Sequence, residues 1–101
     1  NIKKRLEYRL KTLHSFLPVY ISLTKSKYPF KDDKELNKKL QESFISIQLY
    51  GNQSELTLFL KFKNALESAD TINTSIYLNK LMDTIKLNIR KELELPKVQY
   101  I

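Results

Sequence analysis

The sequence predicts an all-α protein, and a four-helix up-down bundle is the architecture it favours. The chain has one glycine and three prolines in 101 residues, whereas β-sandwiches and barrels need turn residues every ~8–12 positions. Apolar residues recur at three- and four-residue steps in four segments, which is typical of amphipathic helices. We therefore expect one domain over residues 1–101, with 1–5 as a basic flank and 96–101 as a frayed tail.

The first segment, RLEYRLKTLHSFLPVYISL, predicts an amphipathic helix interrupted by Pro18. One apolar stripe has helical spacing and consists of Leu6, Leu10, Leu13, Leu17 and Ile21. A proline inside a helix removes a hydrogen bond and clashes with the carbonyl four residues earlier. We expect either a kink over Ser15 to Leu17 or two short helices that meet there.

The second helix follows a predicted loop, KSKYPFK, from Lys25 to Lys31. Asp32 or Asp33 is the expected N-cap, because a short acidic side chain can accept a hydrogen bond from a free backbone N–H. The run ESFISIQLY also alternates between apolar and polar residues, as a half-buried strand does. No second alternating run could pair with it, so we predict a helix here.

The only glycine, Gly51, separates the second helix from the third. We expect it to end the second helix in the left-handed conformation, which glycine adopts at little cost. Asn52 is the expected N-cap of the third helix, and Glu55 lies three residues later, where it completes a capping box. This pattern predicts a tight turn between antiparallel helices.

The third helix is expected over Gln53 to Ala69, and the polar stretch DTINTS separates it from the fourth. Asn73 or Thr74 is the expected N-cap of the fourth helix, which ends before Pro96. The predicted core consists of Leu10, Leu13, Leu17, Leu40, Phe44, Phe59, Leu66, Leu78, Ile85 and Ile89.

Two stretches, LYGNQSELTLFLKFKNAL and LNKLMDTIKLNIRKELELP, resemble a broad set of uncharacterised bacterial helical proteins. Those proteins carry an LYGSDEV-like turn and a helix that ends near an RKDLGL-like signature. The matching positions are Leu49, Tyr50, Gly51, Asn52, Arg90, Lys91, Glu92, Leu93 and Leu95. The acidic position of the turn is shifted by one residue, and Glu94 stands where glycine is usual, so we expect a weaker or displaced helix end.

The resemblance covers about half of the chain and implies a helical domain with no established activity. In many of these proteins a short N-terminal transmembrane helix and a basic flank precede the domain. This chain begins with Asn1, and we expect it to be a processed or excised piece. The expected location is the cytoplasm, with attachment to a membrane through a segment before Asn1 as the variant that the resemblance implies.

The residues that could act in catalysis or bind a metal do not match a known catalytic or metal-binding motif, so we expect no enzyme activity and no cofactor. His14 is the only histidine, and no cysteine is present to complete a metal or nucleophile site with it. Asp32, Asp33 and Glu35 have the spacing of a helix start rather than of a calcium loop. The serines Ser43, Ser46 and Ser54 lack a histidine and carboxylate arrangement, and one glycine cannot build a phosphate loop.

The basic N-terminal region gives the strongest indication of function in the sequence. The formal net charge is +7, and seven basic residues precede Lys31 against one acidic residue. The candidate contacts with an anionic surface or nucleic acid are Lys3, Lys4, Arg5, Arg9 and Lys11. They fit a flank on the cytoplasmic side of a membrane, phosphate binding in nucleic acid, or a solvated helix face without a ligand.

Aromatic side chains suggest a contact surface, because so small a core cannot bury all of them. The candidates are Tyr50, Phe62, Tyr77 and Tyr100, and the alternative is that their rings are buried and their hydroxyls wet. The leading hypothesis is a non-enzymatic helical interaction module that binds a protein partner or itself. The alternative is a basic helical protein that binds nucleic acid.

Overall fold

The computed structural model describes residues 2–94, and within this range the chain is helical and contains no strand. The five helices are α1 (Ile2–Lys25), α2 (Pro29–Asp32), α3 (Leu36–Tyr50), α4 (Gln53–Glu67) and α5 (Thr71–Glu92). The all-α prediction is confirmed, including the helical state of ESFISIQLY in α3. The predicted tail and Tyr100 lie outside the described residues.

The long helices pack around one core. Helix α1 packs against α3 and α5, α4 packs against α5, and α2 touches α1 and α3. The fully or nearly buried members of the core are Phe16, Val19, Ile47, Phe59, Phe62, Leu78, Leu81, Met82, Ile85 and Ile89. Three phenylalanine rings pack edge to face, since Phe59 lies 5.6 Å from Phe62 and 6.3 Å from Phe16 between ring centroids.

The predicted core is correct for α4 and α5 and wrong for part of α1. Phe59, Leu78, Ile85 and Ile89 are buried, and a second set packs against the core while partly buried: Leu10, Leu13, Leu40, Phe44 and Leu66. Leu17 is exposed, because the buried face of α1 follows Thr12, Phe16 and Val19 instead. The predicted apolar stripe therefore lies beside the buried face rather than on it.

Helix α1 continues through Pro18, so the prediction of two short helices is wrong. Pro18 is an exposed residue of α1. The predicted loop Lys25–Lys31 is also only partly correct, because Pro29 begins the four-residue helix α2. Proline suits the first position of a helix, where its missing N–H would have no partner and its φ angle is already helical. This extra helix is why the described residues contain five helices and not four.

The predicted N-caps of the second and fourth helices are corrected. Asp32 lies inside α2 and Asp33 ends it, while Glu35 precedes α3 and makes no side-chain capping bond. Helix α5 begins at Thr71 because the Asp70 side chain accepts a hydrogen bond from the Asn73 backbone N–H at 3.0 Å. Asn73 and Thr74 therefore lie in the first turn of α5.

The turn at Gly51 has a different cause from the predicted one. Gly51 is extended, with φ −79° and ψ 160°, and not left-handed. A Cβ atom at this position would lie 2.6 Å from the Ile47 carbonyl oxygen, a distance that forces the backbone to shift. Glycine is needed here for space. The capping box of Asn52 and Glu55 is confirmed, because each side chain bonds the backbone N–H of the other.

Left-handed residues occur at two other helix ends, which lack glycine. Ala69 has φ 54° and Glu94 has φ 57°. At the end of α4, the Ala69 N–H bonds the Leu66 carbonyl and the Asp70 N–H bonds the Ala65 carbonyl, which is the Schellman pattern. Glu94 holds the equivalent position after α5, where its N–H bonds the Lys91 carbonyl at 3.0 Å.

Candidate binding site

An apolar groove lies between α3 and α4. The two helices are joined by the tight Gly51 turn, but they contact each other far less than α4 contacts α5. The groove holds about 440 Å³, within the ~300–1,000 Å³ range of ligand sites. Its lining consists of Phe30, Asn37, Leu40, Gln41, Phe44, Phe59, Lys63, Leu66 and Glu67.

Aromatic rings form part of the groove lining. Phe44 and Phe59 stack with ring centroids 5.3 Å apart and an angle of 10° between planes. Lys63 Nζ lies 5.8 Å from the centroid of the Phe44 ring and 2.8 Å from Glu67 Oε1. Because Lys63 and Glu67 pair with each other, the groove offers apolar surface with little net charge.

A second cavity adjoins the groove at the end of the molecule where α1 ends and α5 begins. It holds about 610 Å³ and shares Phe30 and Leu66 with the groove. Its lining consists of Leu23, Thr24, Ser26, Lys27, Pro29, Phe30, Leu66, Ala69, Thr71, Thr74, Ser75 and Leu78. We call it the end cavity. Five of these residues carry hydroxyl groups, and Lys27 is the one ionisable residue of its lining.

A polar cleft of about 480 Å³ separates the end of α1 from α2 and α3. Asp33 is its central acid, since its Oδ2 accepts hydrogen bonds from Lys39 Nζ and Ser22 Oγ, both at 2.6 Å. The Lys39 bond, followed by that of Ser22, lowers the pKa of Asp33 to about 2. No group of three or more potential metal ligands occurs among the described residues, so Asp32, Asp33 and Glu35 do not form one.

The five predicted basic contacts do not form one exposed surface, because Arg9 is buried. Its Nε donates to Glu92 Oε1 at 2.9 Å, its Nη1 to the Tyr50 carbonyl at 2.9 Å, and its Nη2 to Glu55 Oε2. Burial disfavours the charged guanidinium, but the hydrogen bonds and charges of Glu55 and Glu92 outweigh this and raise the pKa of Arg9. Arg9 is thus a structural residue and not a surface contact.

The other predicted basic residues are on the surface. Lys3, Lys4, Arg5 and Lys11 are exposed on α1. Lys11 Nζ lies 5.3 Å from the centroid of the Tyr8 ring and 5.4 Å from that of Tyr50, and the two rings stack 5.3 Å apart.

Sequence reasoning missed that Arg9 would join an internal polar cluster. Asn88 Nδ2 donates to Glu55 Oε2 at 2.7 Å, so α5 adds a second partner to this carboxylate. Arg9 lies three, seven and ten residues before the buried Thr12, Phe16 and Val19. That spacing could have placed it on the buried face.

The predicted aromatic surface is only partly present. Phe62 is fully buried, so the prediction that it is a contact residue is wrong. Tyr50 and Tyr77 are half-buried. Lys61 and Lys80 lie 5.8 and 5.9 Å from the centroid of the Tyr77 ring. These rings are therefore already covered in part by the protein's own lysines.

Exposed apolar side chains instead occur as pairs four residues apart. Leu17 and Ile21 on α1 are 40% and 50% exposed, and Ile72 and Ile76 on α5 are 72% and 43% exposed. A third pair, Ile45 and Leu49 on α3, is 55% and 67% exposed. The α1 pair and the α5 pair belong to two helices that pack against each other and are joined by a hydrogen bond from Tyr20 Oη to Asn79 Oδ1 at 3.3 Å. We call these four residues the α1–α5 face.

The remaining sequence candidates show no shared site. His14 is exposed on α1, while Ser43 is buried in α3 with no hydrogen-bond partner for its hydroxyl in the described structure. Ser46 Oγ donates to the Lys11 carbonyl at 3.3 Å, and Ser54 Oγ donates to Asn52 Oδ1 at 2.8 Å. Ser46 thus joins α3 to the backbone of α1, and Ser54 supports the cap of α4 while its hydroxyl accepts a hydrogen bond from Asn88 Nδ2 at 3.5 Å.

Comparison with protein families, with curated proteins and with solved structures gives no match to this chain. None of the helices in the described range is long and apolar enough to cross a bilayer.

Proposed function

We propose that this protein is a non-enzymatic helical interaction module that binds another protein chain through the α1–α5 face. The observation that carries the proposal is the exposure of the four apolar side chains of this face, Leu17, Ile21, Ile72 and Ile76. Removing such apolar surface from water lowers the free energy, so it favours association. Exposed apolar side chains that gather into one patch are typical of interaction sites on soluble domains, and we propose that these four do so. The proposed activity is binding.

A second copy of this chain is the partner that we propose for the face. A two-fold axis through an interface brings the same residues of both copies together, so one apolar patch suffices for self-association. The formal net charge of +7 makes two copies repel each other. Salt screens that repulsion and leaves apolar contact intact, so the association should strengthen as salt rises.

We also propose that α1, α3, α4 and α5 run alternately up and down. Arg9 supports this arrangement, because it lies in the N-terminal part of α1 and binds the last residue of α3, Tyr50. It also binds Glu55 in the first turn of α4 and Glu92 at the end of α5. One end of the bundle would therefore contain two helix starts and two helix ends, as an up-down bundle requires.

Sedimentation velocity over a concentration series tests the proposed surface. The wild-type sedimentation coefficient should rise with concentration, and Ile76→Glu should abolish the rise because it places a charge in the interface. Ile45→Glu is the matched control, since Ile45 is 55% exposed on α3 and lies outside the face. An equal effect of both substitutions, or a wild-type coefficient that does not change, would refute the proposal.

Nucleic-acid binding is the second candidate, favoured by the exposed basic residues of α1. Lys3, Lys4, Arg5 and Lys11 are exposed there, and Lys11 lies beside the stacked Tyr8 and Tyr50 rings. Binding to phosphates would weaken with salt, the opposite of the response expected for self-association. A gel-shift titration with single- and double-stranded DNA at two salt concentrations decides it, and no retardation at low salt ends this candidate.

The location remains a proposal that rests on the resemblance and on the basic flank. We propose that the protein acts in the cytoplasm, where Lys3, Lys4 and Arg5 would follow a membrane segment on its positive side. The full-length reading frame tests the tether. About 20 consecutive apolar residues before Asn1 would support it, and a polar stretch there would remove it.

A further inference from the structure

The groove and the end cavity adjoin, and we call the two together the furrow. Phe30 and Leu66 line both spaces, so the groove, with its stacked Phe44 and Phe59 rings, meets the end cavity, with Lys27, at these two side chains. The groove half presents mostly aromatic and aliphatic side chains. The end-cavity half adds hydroxyl groups and a cation, so the furrow as a whole is amphipathic.

The polar groups of the end cavity favour an anionic ligand. The hydroxyls of Thr24, Ser26 and Thr74 already donate to the Tyr20 carbonyl, to Asp32 Oδ2 and to the Asp70 carbonyl, respectively. Two further hydroxyls, those of Thr71 and Ser75, have no hydrogen bond within the described part of the chain and can donate outward. Together with Lys27, they provide donors for an oxyanion.

No carboxylate competes for these donors within the cavity lining. Asp32, Glu67 and Asp70 are the nearest acids along the chain, and none of them lines the end cavity. Glu67 lines the groove, where it pairs with Lys63. Asp32 accepts from Ser26, and the two carboxylate oxygens of Asp70 accept from the backbone N–H and side-chain amide of Asn73 at 3.0 and 2.7 Å. A cationic head group would therefore be repelled by Lys27, with no carboxylate in the cavity lining to offset that repulsion.

The furrow matches the length of a single alkyl chain. Phe59 on α4 lines the groove, and Ala69, two residues after the end of α4, lines the end cavity; at the rise of a helix, the ten residues from one to the other correspond to about 15 Å. A saturated chain advances about 1.25 Å per carbon for C–C bonds near 1.5 Å, so about 12 carbons fill this length. The groove volume of about 440 Å³ is also in the range of small-ligand sites.

We propose that the furrow is a binding site for a free fatty acid. The alkyl chain lies in the groove against Leu40, Phe44 and Phe59, passes between Phe30 and Leu66, and places its carboxylate near Lys27, Thr71 and Ser75. The carboxylate is ionised at neutral pH, as protein carboxyls are. None of the four residues of the α1–α5 face lines the groove or the end cavity, although Ile72 and Ile76 directly follow Thr71 and Ser75 in the chain. Calorimetry measures ligand binding and sedimentation measures self-association, so the failure of one proposal is distinguishable from the failure of the other.

Titration calorimetry with a series of soluble amphiphiles tests the ligand class. Dodecanoate, below its micelle concentration, should bind with a stoichiometry of one. Octanoate and decanoate should bind more weakly, by about fourfold per missing methylene when each is fully buried. Dodecyltrimethylammonium should bind at least tenfold more weakly than dodecanoate, because its head group meets Lys27.

Paired variants locate the site. Gln41→Trp fills the groove from an exposed position of α3 and should abolish dodecanoate binding, whereas Gln48→Trp, outside the lining of the same helix, should not. Lys27→Gln should weaken dodecanoate binding about threefold to fivefold, as expected for one exposed ion pair. Lys34→Gln removes the same charge from a residue outside both spaces and should leave the affinity unchanged.

Circular dichroism of each variant shows whether it is folded, and only folded variants are compared. The proposal is overturned if dodecanoate does not bind, if the cationic amphiphile binds equally well, or if Gln41→Trp and Gln48→Trp have the same effect. It is also overturned if the chain binds anionic lipid vesicles but no free dodecanoate, since the ligand would then be a membrane surface.

Discussion

Arg9 joins helices that are far apart in sequence through one buried side chain. It belongs to α1, and its guanidinium binds Tyr50 of α3, Glu55 of α4 and Glu92 of α5. The Arg9 and Glu55 side chains are 7% and 0% exposed. Because such charges lose their hydration on folding, each one needs the other, and removing one leaves an uncompensated buried charge.

We expect Arg9→Met to lower the free energy of unfolding by about 3–5 kcal/mol, as breaking a buried ion pair does. Urea denaturation followed by circular dichroism measures the change. Arg5→Met is the matched control, because Arg5 is an exposed residue one turn earlier on α1, and it should shift stability by less than about 0.5 kcal/mol. Similar losses for both variants would show that the Arg9 contacts contribute little.

Gly51 shows that glycine can be needed for space rather than for a left-handed conformation. Ala69 shows the converse, because it is left-handed without being a glycine. We expect Gly51→Ala to lower the free energy of unfolding by about 1–3 kcal/mol, because its Cβ would press on the Ile47 carbonyl. Gly51→Asn should cost at least as much, although asparagine tolerates the left-handed region. Thermal denaturation of the two variants provides the measurement, and a well-tolerated Gly51→Asn would restore the left-handed account.

Ala69→Gly is the reciprocal variant and should stabilise the protein. Ala69 has φ 54°, which costs a residue with a Cβ atom about 1–2 kcal/mol, while the extra freedom of glycine in the unfolded chain offsets part of the gain. We expect the free energy of unfolding to rise by about 0.5–1 kcal/mol in the same melts. A destabilised variant would contradict the left-handed helix end.

At the scale of elements, the spacing of apolar residues was enough to predict which segments are helical. It was not enough to predict which face of α1 is buried. Leucines at Leu10, Leu13 and Leu17 suggested one stripe, but the helix turns a neighbouring face inward that carries Arg9 and Thr12. Polar residues at buried positions obscure the apolar pattern on which such predictions depend. Arg9 can be buried because partners on other helices satisfy it, and those partners become adjacent only after folding. The buried Thr12 hydroxyl has no hydrogen-bond partner within the described residues.

Helix α2 depends on Asp33, and this gives a pH dependence with a definite sign. The pKa of Asp33 is lowered to about 2 by Lys39 and Ser22, so the carboxylate binds its partners most strongly when ionised. Its stabilisation is complete above the unfolded pKa near ~3.9 and is lost as pH falls through about 2. Asp33→Asn should therefore flatten the decline of stability between these values.

Chemical denaturation across this acidic range compares the wild type with Asp33→Asn. Asp83→Asn is a suitable control, because Asp83 is largely exposed and its ion pair within the described residues is with Lys86 on its own helix, at 3.4 Å. The two variants should differ, with only Asp33→Asn changing the slope. Parallel slopes for the wild type and Asp33→Asn would mean that the Asp33 contacts do not hold α2 and α3 to α1.

At the scale of the whole molecule, the class of fold could be predicted and the candidate sites could not. Scarce glycine and helical spacing were enough to predict an all-α domain, and Asn52 with Glu55 fixed one helix start correctly. The groove depends on how α3 and α4 separate beyond their turn, and the α1–α5 face depends on which stripe α1 turns inward. Both are properties of packing, so local spacing did not indicate them.

The salt dependence of self-association tests the central claim most directly. Sedimentation equilibrium of the wild-type chain would compare ~0.1 M with ~1 M salt, where the screening length falls from about 10 to about 3 Å. We expect the weight-average mass to rise with salt, because apolar contact remains while repulsion between copies of net charge +7 weakens. A mass that stays at the monomer value under both conditions, or falls with salt, would contradict an apolar interaction module.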